Sequence, residues 1–400
     1  MLHILKNRDY AKLFGAQIVA LLGSGLLTVA LGLLAFDLAG ARAGIVLGTA
    51  YTIKMVAYVG LSPIVQAAVQ KWPRKRVLIT ADLIRAGVAM CLPFVTEIWQ
   101  VYALIFILQA ASATFTPAYQ AVLPDILPNE ADYTRALSLS RLAYDLENLL
   151  SPAMAGILLV LVSYHTLFWG TVFGFLGSAV LVYLAMIPPL TATPERPFWD
   201  RATRGIRLYL ATPRLRGLLA LTFAAAAIGA FVLVNTVVLV RSSFGLNETG
   251  LALAMAAFGA GSMTAAFALP PLLDRVADRT VMLYAAGAMI VVGLGVGLWM
   301  MVALPDWALF LGSWAIIGGL YSAVLTPSGR LIRRSSDAAD RAALFTAQFA
   351  LSHACWLVTY PMAGYLGGIF GLSVALVVLS LMALVAGLIA LKIWPQAQSR

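Results

Sequence analysis

Apolar stretches of about 20 residues recur along the whole chain, parted by short polar or charged breaks. At 1.5 Å per residue each is long enough to cross a hydrocarbon core as a helix. Twelve are legible, at roughly 11–35, 44–66, 77–95, 99–121, 136–162, 164–187, 215–240, 250–270, 280–302, 307–328, 343–366 and 371–394. The pattern predicts an all-α polytopic membrane protein. The longest polar stretch, about 188–214, is too short to fold alone, so there is no room for a soluble catalytic domain and no enzyme is expected.

The pattern also repeats. Thr116-Pro117 recurs as Thr326-Pro327, Pro63 as Pro271, and Pro152 with Gly156 as Pro361 with Gly364, at offsets of 210, 208 and 209. Landmarks half a chain apart predict two pseudo-symmetric six-helix halves, 1–187 and 215–400, joined by a linker over 188–214. Such duplicated bundles belong to solute carriers that bind cargo near the bilayer midplane and rock around it. The linker opens with Pro188-Pro189 and is punctuated by Pro194 and Pro197. Then Phe198, Trp199, Ile206, Leu208, Tyr209 and Leu210 alternate with Arg201, Arg204 and Arg207, which predicts an amphipathic helix lying on the inner leaflet. Glycines within the spans, among them Gly23, Gly25, Gly32, Gly259 and Gly261, allow close helix approach, whether static or sliding.

Composition agrees: 62% of the residues are hydrophobic and 11% charged, far from the balance of a soluble domain. The net charge of +10 would suit nucleic acid, but its distribution does not. Alternating the loops between two sides puts almost every basic residue, from Lys6 and Arg8 to Arg341, on one side and leaves Arg42 and Arg241 on the other. This is the positive-inside pattern, with both termini cytoplasmic in an inner (plasma) membrane, and the basic face meets anionic lipid. The first span follows Lys6, Arg8 and Lys12 but is too long for a signal peptide and ends in no cleavage site, so it is expected to be retained. Cys91 and Cys355 fit neither a disulfide framework nor a metal or redox motif. The last two spans are separated by Gly368-Ile369-Phe370-Gly371 alone, too little for a receptor domain. Nothing resembles a nucleotide-binding loop; no cofactor is expected, and uphill transport would draw on an ion gradient. The chain is expected to act as a monomer.

Four ionisable residues fall at membrane depth, where charge is costly and function is the default reading. Lys54 lies mid-way along the second span, Asp145 and Glu147 about ten residues into the fifth (roughly 15 Å), and His353 equally deep in the eleventh. An offset of 208–209 makes His353 the counterpart of the Tyr144/Asp145 site. Asp145 and Glu147 are two residues apart and cannot share a helix face. Arg141, one turn from Asp145, can hold it in an ion pair; Glu147 has no such neighbour and suits a group that loads and releases a proton. Lys54 is a counter-ion for either. Each also has a structural reading as a packed or paired group.

Two loops carry a family resemblance. Gln70-Lys71-Trp72-Pro73-Arg74-Lys75-Arg76, followed by Asp82 and Arg85, and Asp274-Arg275-Val276-Ala277-Asp278-Arg279 resemble the signature loop of the major facilitator superfamily, Asp-Arg-x-Gly-Arg-Arg, found at both places. The resemblance implies a cytoplasmic latch drawn from Lys71, Arg74, Asp82, Asp274, Arg275 and Arg279. Gln70 and Pro73 replace the acid and glycine of the first copy, so the latch acid falls to Asp82 or to Asp274. Ser151-Pro152-x-x-x-Gly156 is similar to the Gly-Pro motif of that superfamily's antiporters. Asn7-Arg8-Asp9-Tyr10, Asp37 and Gln348–His353 resemble the twelve-span drug:proton branch that includes nickel-resistance exporters. The implied function is proton-coupled efflux of a drug-like or siderophore-like molecule. A divalent-metal exporter using His353 and the carboxylates is the alternative, and a non-transporting scaffold or sensor a third.

Overall fold

Hydrocarbon offers a backbone no hydrogen-bond partner, so a span must satisfy its own amides, and a helix does this within one segment. The computed structural model describes residues 2–39, 43–189 and 197–394, and these are helices joined by short turns. In order they are α1 (Arg8–Ala39), α2 (Ala43–Val56), α3 (Ser62–Val69), α4 (Arg74–Cys91), α5 (Ile98–Ile126), α6 (Glu130–Leu161), α7 (Tyr164–Leu184), α8 (Phe198–Ala211), α9 (Pro213–Val238), α10 (Glu248–Leu273), α11 (Asp278–Val302), α12 (Trp307–Leu325), α13 (Ser328–Arg334), α14 (Arg341–Phe370) and α15 (Leu372–Ile393). A π turn at Ala57–Leu61 joins α2 to α3 as one span, and another at Leu239–Ser243 extends α9.

Among the described residues eleven helices are long and apolar enough to cross a membrane. The twelfth predicted span, α6, is 32 residues long but carries Arg141, Asp145 and Glu147 in its middle. It begins at Glu130, earlier than the apolar pattern indicates, because the Asn129 side chain accepts from the backbone amides of Ala131 and Asp132. Asp145 is therefore 15 residues into the helix, about 22 Å from its start and beside its midpoint. Glu97 and Gln100 form a capping box at the start of α5, and Asn247 caps α10. Between α14 and α15 only Gly371 remains outside a helix, at φ 90°, a conformation that glycine adopts without a steric penalty.

The helices fall into two compact units. The first comprises Met1–Ala136, Leu146–Arg207 and Ser336–Ala350. In it α7 packs against α1 and α4, and α4 against α5. The α1–α7 seam is made by Gly23 and Gly174: a Cβ on Gly174 would lie 3.0 Å from the Gly23 Cα. Leu26, Leu27, Leu31, Leu108 and Phe168 fill an apolar core beside it.

The second unit comprises Leu137–Asp145, Leu208–Ser335 and Leu351–Arg400. Here α10 lies along α12, and α15 along α9 and α11. A Cβ on Gly261 would fall 1.8 Å from the Ala315 carbonyl oxygen, and one on Gly318 2.0 Å from that of Phe258. At these glycines backbone meets backbone.

Replacing Gly318 with Val is expected to destabilise the protein by at least about 1–3 kcal/mol, because only backbone movement can relieve the overlap. Gly312 has open space within 4 Å of where a methyl group would sit, and should accept Ala within about 0.5 kcal/mol. Thermal unfolding in detergent micelles distinguishes the two.

Candidate functional site

The middle of α6 holds the site. Arg141 Nη2 lies 3.0 Å from Asp145 Oδ1, as the four-residue spacing predicts. Two groups beyond the helix complete the arrangement. The Ser262 hydroxyl of α10 donates to Asp145 Oδ2 at 2.5 Å and accepts from Arg141 Nε at 3.1 Å. The Tyr321 ring of α12 lies 4.9 Å from the guanidinium. Ser262 adjoins Gly261, so the glycine that draws α12 close also brings Tyr321 into the region of the ion pair. Asp145 is 5% exposed, and its charge is matched by one cation and one hydroxyl.

Glu147 has a different environment. It is half-buried in the first unit, and among the described residues it makes no hydrogen bond. The opposite charge that acts on it is Lys54 of α2, so of the two carboxylates Lys54 serves Glu147. The Lys54 ammonium lies 5.6 Å from the Tyr58 ring centre, and Tyr58 packs on Phe349 at 4.8 Å.

His353 is half-buried near the middle of α14. Among the described residues no three His, Cys, Asp or Glu side chains gather closely enough to hold a metal ion. The same face of α14 presents Trp356 and Tyr360, whose rings are 4.9 Å apart; Tyr321 lies 6.3 Å from Trp356 and Phe258 5.7 Å from Tyr321. Sequence reading missed this aromatic run, although His353, Trp356 and Tyr360 share helical spacing. Asn235 donates to the Ala363 carbonyl at 3.0 Å and so bridges α9 and α14.

The loop residues divide into three groups. In the first unit Arg74, the first residue of α4, pairs with Asp125 at the end of α5, and Arg341 at the start of α14 pairs with the same carboxylate. Asp82 does not face the loop: it is fully buried, paired with Arg85 and accepting from Ser178 at 2.7 Å, while the Phe115 and Phe175 rings flank Arg85 at 4.3 and 4.5 Å. In the second unit the engaged acid is Asp278, at the start of α11. Arg334 lies 2.5 Å and Arg330 Nε 3.1 Å from its two oxygens. Asp274 and Arg275 are exposed, as is Lys71, and Arg279 Nε donates to the Trp394 carbonyl at 3.3 Å. Asp125 and Arg341 lie outside the loop that the motif spans, and Asp278 stands inside it where the motif has an arginine; their pairing joins residues far apart in sequence.

The linker helix α8 packs one stripe against protein. Arg204 makes a two-pronged bond to Asp340, at 2.6 and 2.7 Å. A Cβ on Gly205 would fall 2.2 Å from the Ala343 carbonyl oxygen. Its buried stripe of Ala202, Gly205 and Tyr209 faces protein, and Trp199 and Leu210 stay exposed. The bond to Asp340 raises the pKa of Arg204 further, and burial holds the Tyr209 hydroxyl well above its ordinary range. Arg42, Pro194, Arg196 and the tail 395–400 lie outside the described residues, as do the side chains of Ser151, Pro152 and Gly156.

Eleven membrane-length helices among the described residues define a polytopic membrane protein. The profile of the Major Facilitator Superfamily matches residues 13–299, and the chain belongs to that superfamily. It is 24% identical over 342 residues to the uncharacterized MFS-type transporter YfiS of Bacillus subtilis (strain 168), covering 83% of this chain and 80% of YfiS. It is 24% identical over 364 residues to the multidrug efflux pump Tap of Mycolicibacterium fortuitum, covering 86% and 87%. Among solved structures, a bacterial homologue of the iron transporter ferroportin in its outward-facing state shares the fold, with TM-score 0.77 at 14% identity over 96% of this chain and 98% of that one.

Replacing Asp145 with Leu strands the Arg141 cation and should destabilise the protein by about 3–5 kcal/mol. Adding Arg141→Met should restore most of that loss, since removing both charges removes the desolvation cost together with the attraction. Unfolding temperatures of the single and double variants check this.

Proposed function

We propose that this transporter exports small amphipathic organic molecules by alternating access, driven by protons, with Glu147 as the group that takes up and releases the proton. The carrying observation is the unequal treatment of two carboxylates two residues apart. Asp145 has an arginine, a serine hydroxyl and near-complete burial, and reads as a fixed brace. Glu147 has a cation acting on it and no hydrogen bond among the described residues, so protonation removes its charge without breaking a network. Lys54 then favours proton release, and the vacated charge can be exchanged for cargo.

Similarity to a multidrug efflux pump supports an organic cargo and the outward direction. The aromatic run of Phe258, Tyr321, Trp356 and Tyr360 supports it too, because flat apolar surfaces with polar edges suit amphipathic guests. The divalent-metal alternative, with His353 as ligand, has no gathered donor set behind it among the described residues. On the basic, cytoplasmic side, we read the Arg74–Asp125–Arg341 joint as the latch, with Lys71, Asp274, Arg275 and Arg279 as peripheral charges and Asp82 as an internal brace.

Proteoliposomes with an imposed pH gradient test the proposal. Wild type should move a lipophilic organic cation against its gradient and leave Ni²⁺ in place. Glu147→Gln should lose the pH-driven movement while keeping cargo exchange at equal pH. Full pH-driven flux in Glu147→Gln would sink the proton role, and flux of Ni²⁺ alone would sink the organic cargo.

A further inference from the structure

In the second unit α15 packs against α9 and α11, and a gap is left where α9, α14 and α15 meet. The gap is a groove of about 540 Å³, walled by Leu219, Ala220 and Phe223 of α9, Ala354 and Val358 of α14, and Val385 and Ile389 of α15, among other apolar side chains. Its walls are open to the surroundings: Val358 is 49% exposed, Val385 57% and Ile389 44%. The stripe Met382, Val385, Ala386 and Ile389 of α15 has the spacing of one helix face and covers about 10 Å along the axis.

One end of this groove is charged. Arg216, in the first turn of α9, is the one ionisable cation among the lining residues, and Lys392 continues the α15 stripe one turn beyond Ile389. The two lie at the same end, because Gly217 packs against the Trp394 ring, within 2.7 Å of a Cβ placed there. Both side chains are exposed, and among the described residues neither has an ion-pair or hydrogen-bond partner.

We infer that this groove is a binding site for an anionic phospholipid, its acyl chain lying between α14 and α15 and its phosphate at Arg216 and Lys392. An acyl chain gains little by leaving the bilayer for an apolar groove, since both surroundings are hydrocarbon. Selectivity therefore comes from the headgroup, where a juxtamembrane cation gives roughly a five-fold preference for anionic lipid. Both cations occupy helix ends on the side that the charge distribution assigns to the cytoplasm, the leaflet rich in such lipids. The site is separate from the Glu147 region and does not depend on the transport reading.

The test is native mass spectrometry of the full chain, extracted and exposed to an equal mixture of phosphatidylglycerol and phosphatidylethanolamine. Wild type is expected to retain phosphatidylglycerol about five-fold or more over phosphatidylethanolamine. The double variant Arg216→Gln, Lys392→Gln should lose that preference at an unchanged unfolding temperature, and the Arg216→Lys variant should keep it. Ala386→Phe, which narrows the groove, should reduce retention of both lipids; if it does not fold, the charge variants alone decide. Equal retention of the two lipids by wild type, or an unaltered preference in the double variant, would overturn the inference.

Discussion

A charge in hydrocarbon must meet its opposite within reach of its own side chain, and this requirement arranges much of the molecule. Asp82 is met by Arg85 and Ser178, Asp145 by Arg141 and Ser262, Asp278 by Arg330 and Arg334. In each case the acid is nearly or fully buried, so a missing partner would leave an uncompensated ion. Two of the three acids use a residue three or four positions away on their own helix and a serine from another helix. The helix supplies the counter-charge, and the serine ties that helix to a neighbour.

Small residues do for the backbone what these pairs do for charge. Glycine seams press α1 onto α7 and α10 onto α12 until backbone touches backbone, leaving no room for a side chain to slide. A like seam joins α8 to α14 at Gly205 and Ala343, and α6 and α14 carry Asp145, Glu147 and His353 near their midpoints.

Much of this was legible in the sequence, within physical limits. That the spans are helices follows from hydropathy alone, because the bilayer fixes both length and composition. The ends do not: α6 begins at Glu130 because of the Asn129 cap, in a stretch that hydropathy reads as loop. The Arg141–Asp145 pair was legible because it is local. Ser262, Tyr321, Asp125 and Arg341 were not, since only the fold brings them near residues over a hundred positions away. The linker helix shows the same limit. Its periodicity marks an apolar face but not its partner, and the Arg204–Asp340 bond and the Gly205–Ala343 contact come from the fold alone.

The joints at the starts of α4 and α11 carry opposite signs. Arg74 opens α4 and meets the acid Asp125; Asp278 opens α11, 204 positions later, and meets Arg330, 205 positions after Asp125. Asp278 lies with the dipole of its helix, while Arg74 lies against it and relies on Asp125. The repeats therefore kept the joint and inverted its polarity. They are no longer interchangeable parts: grafting α4 alone in place of α11 would set arginine against arginine, and only an exchange that carries both members of a joint together preserves neutrality.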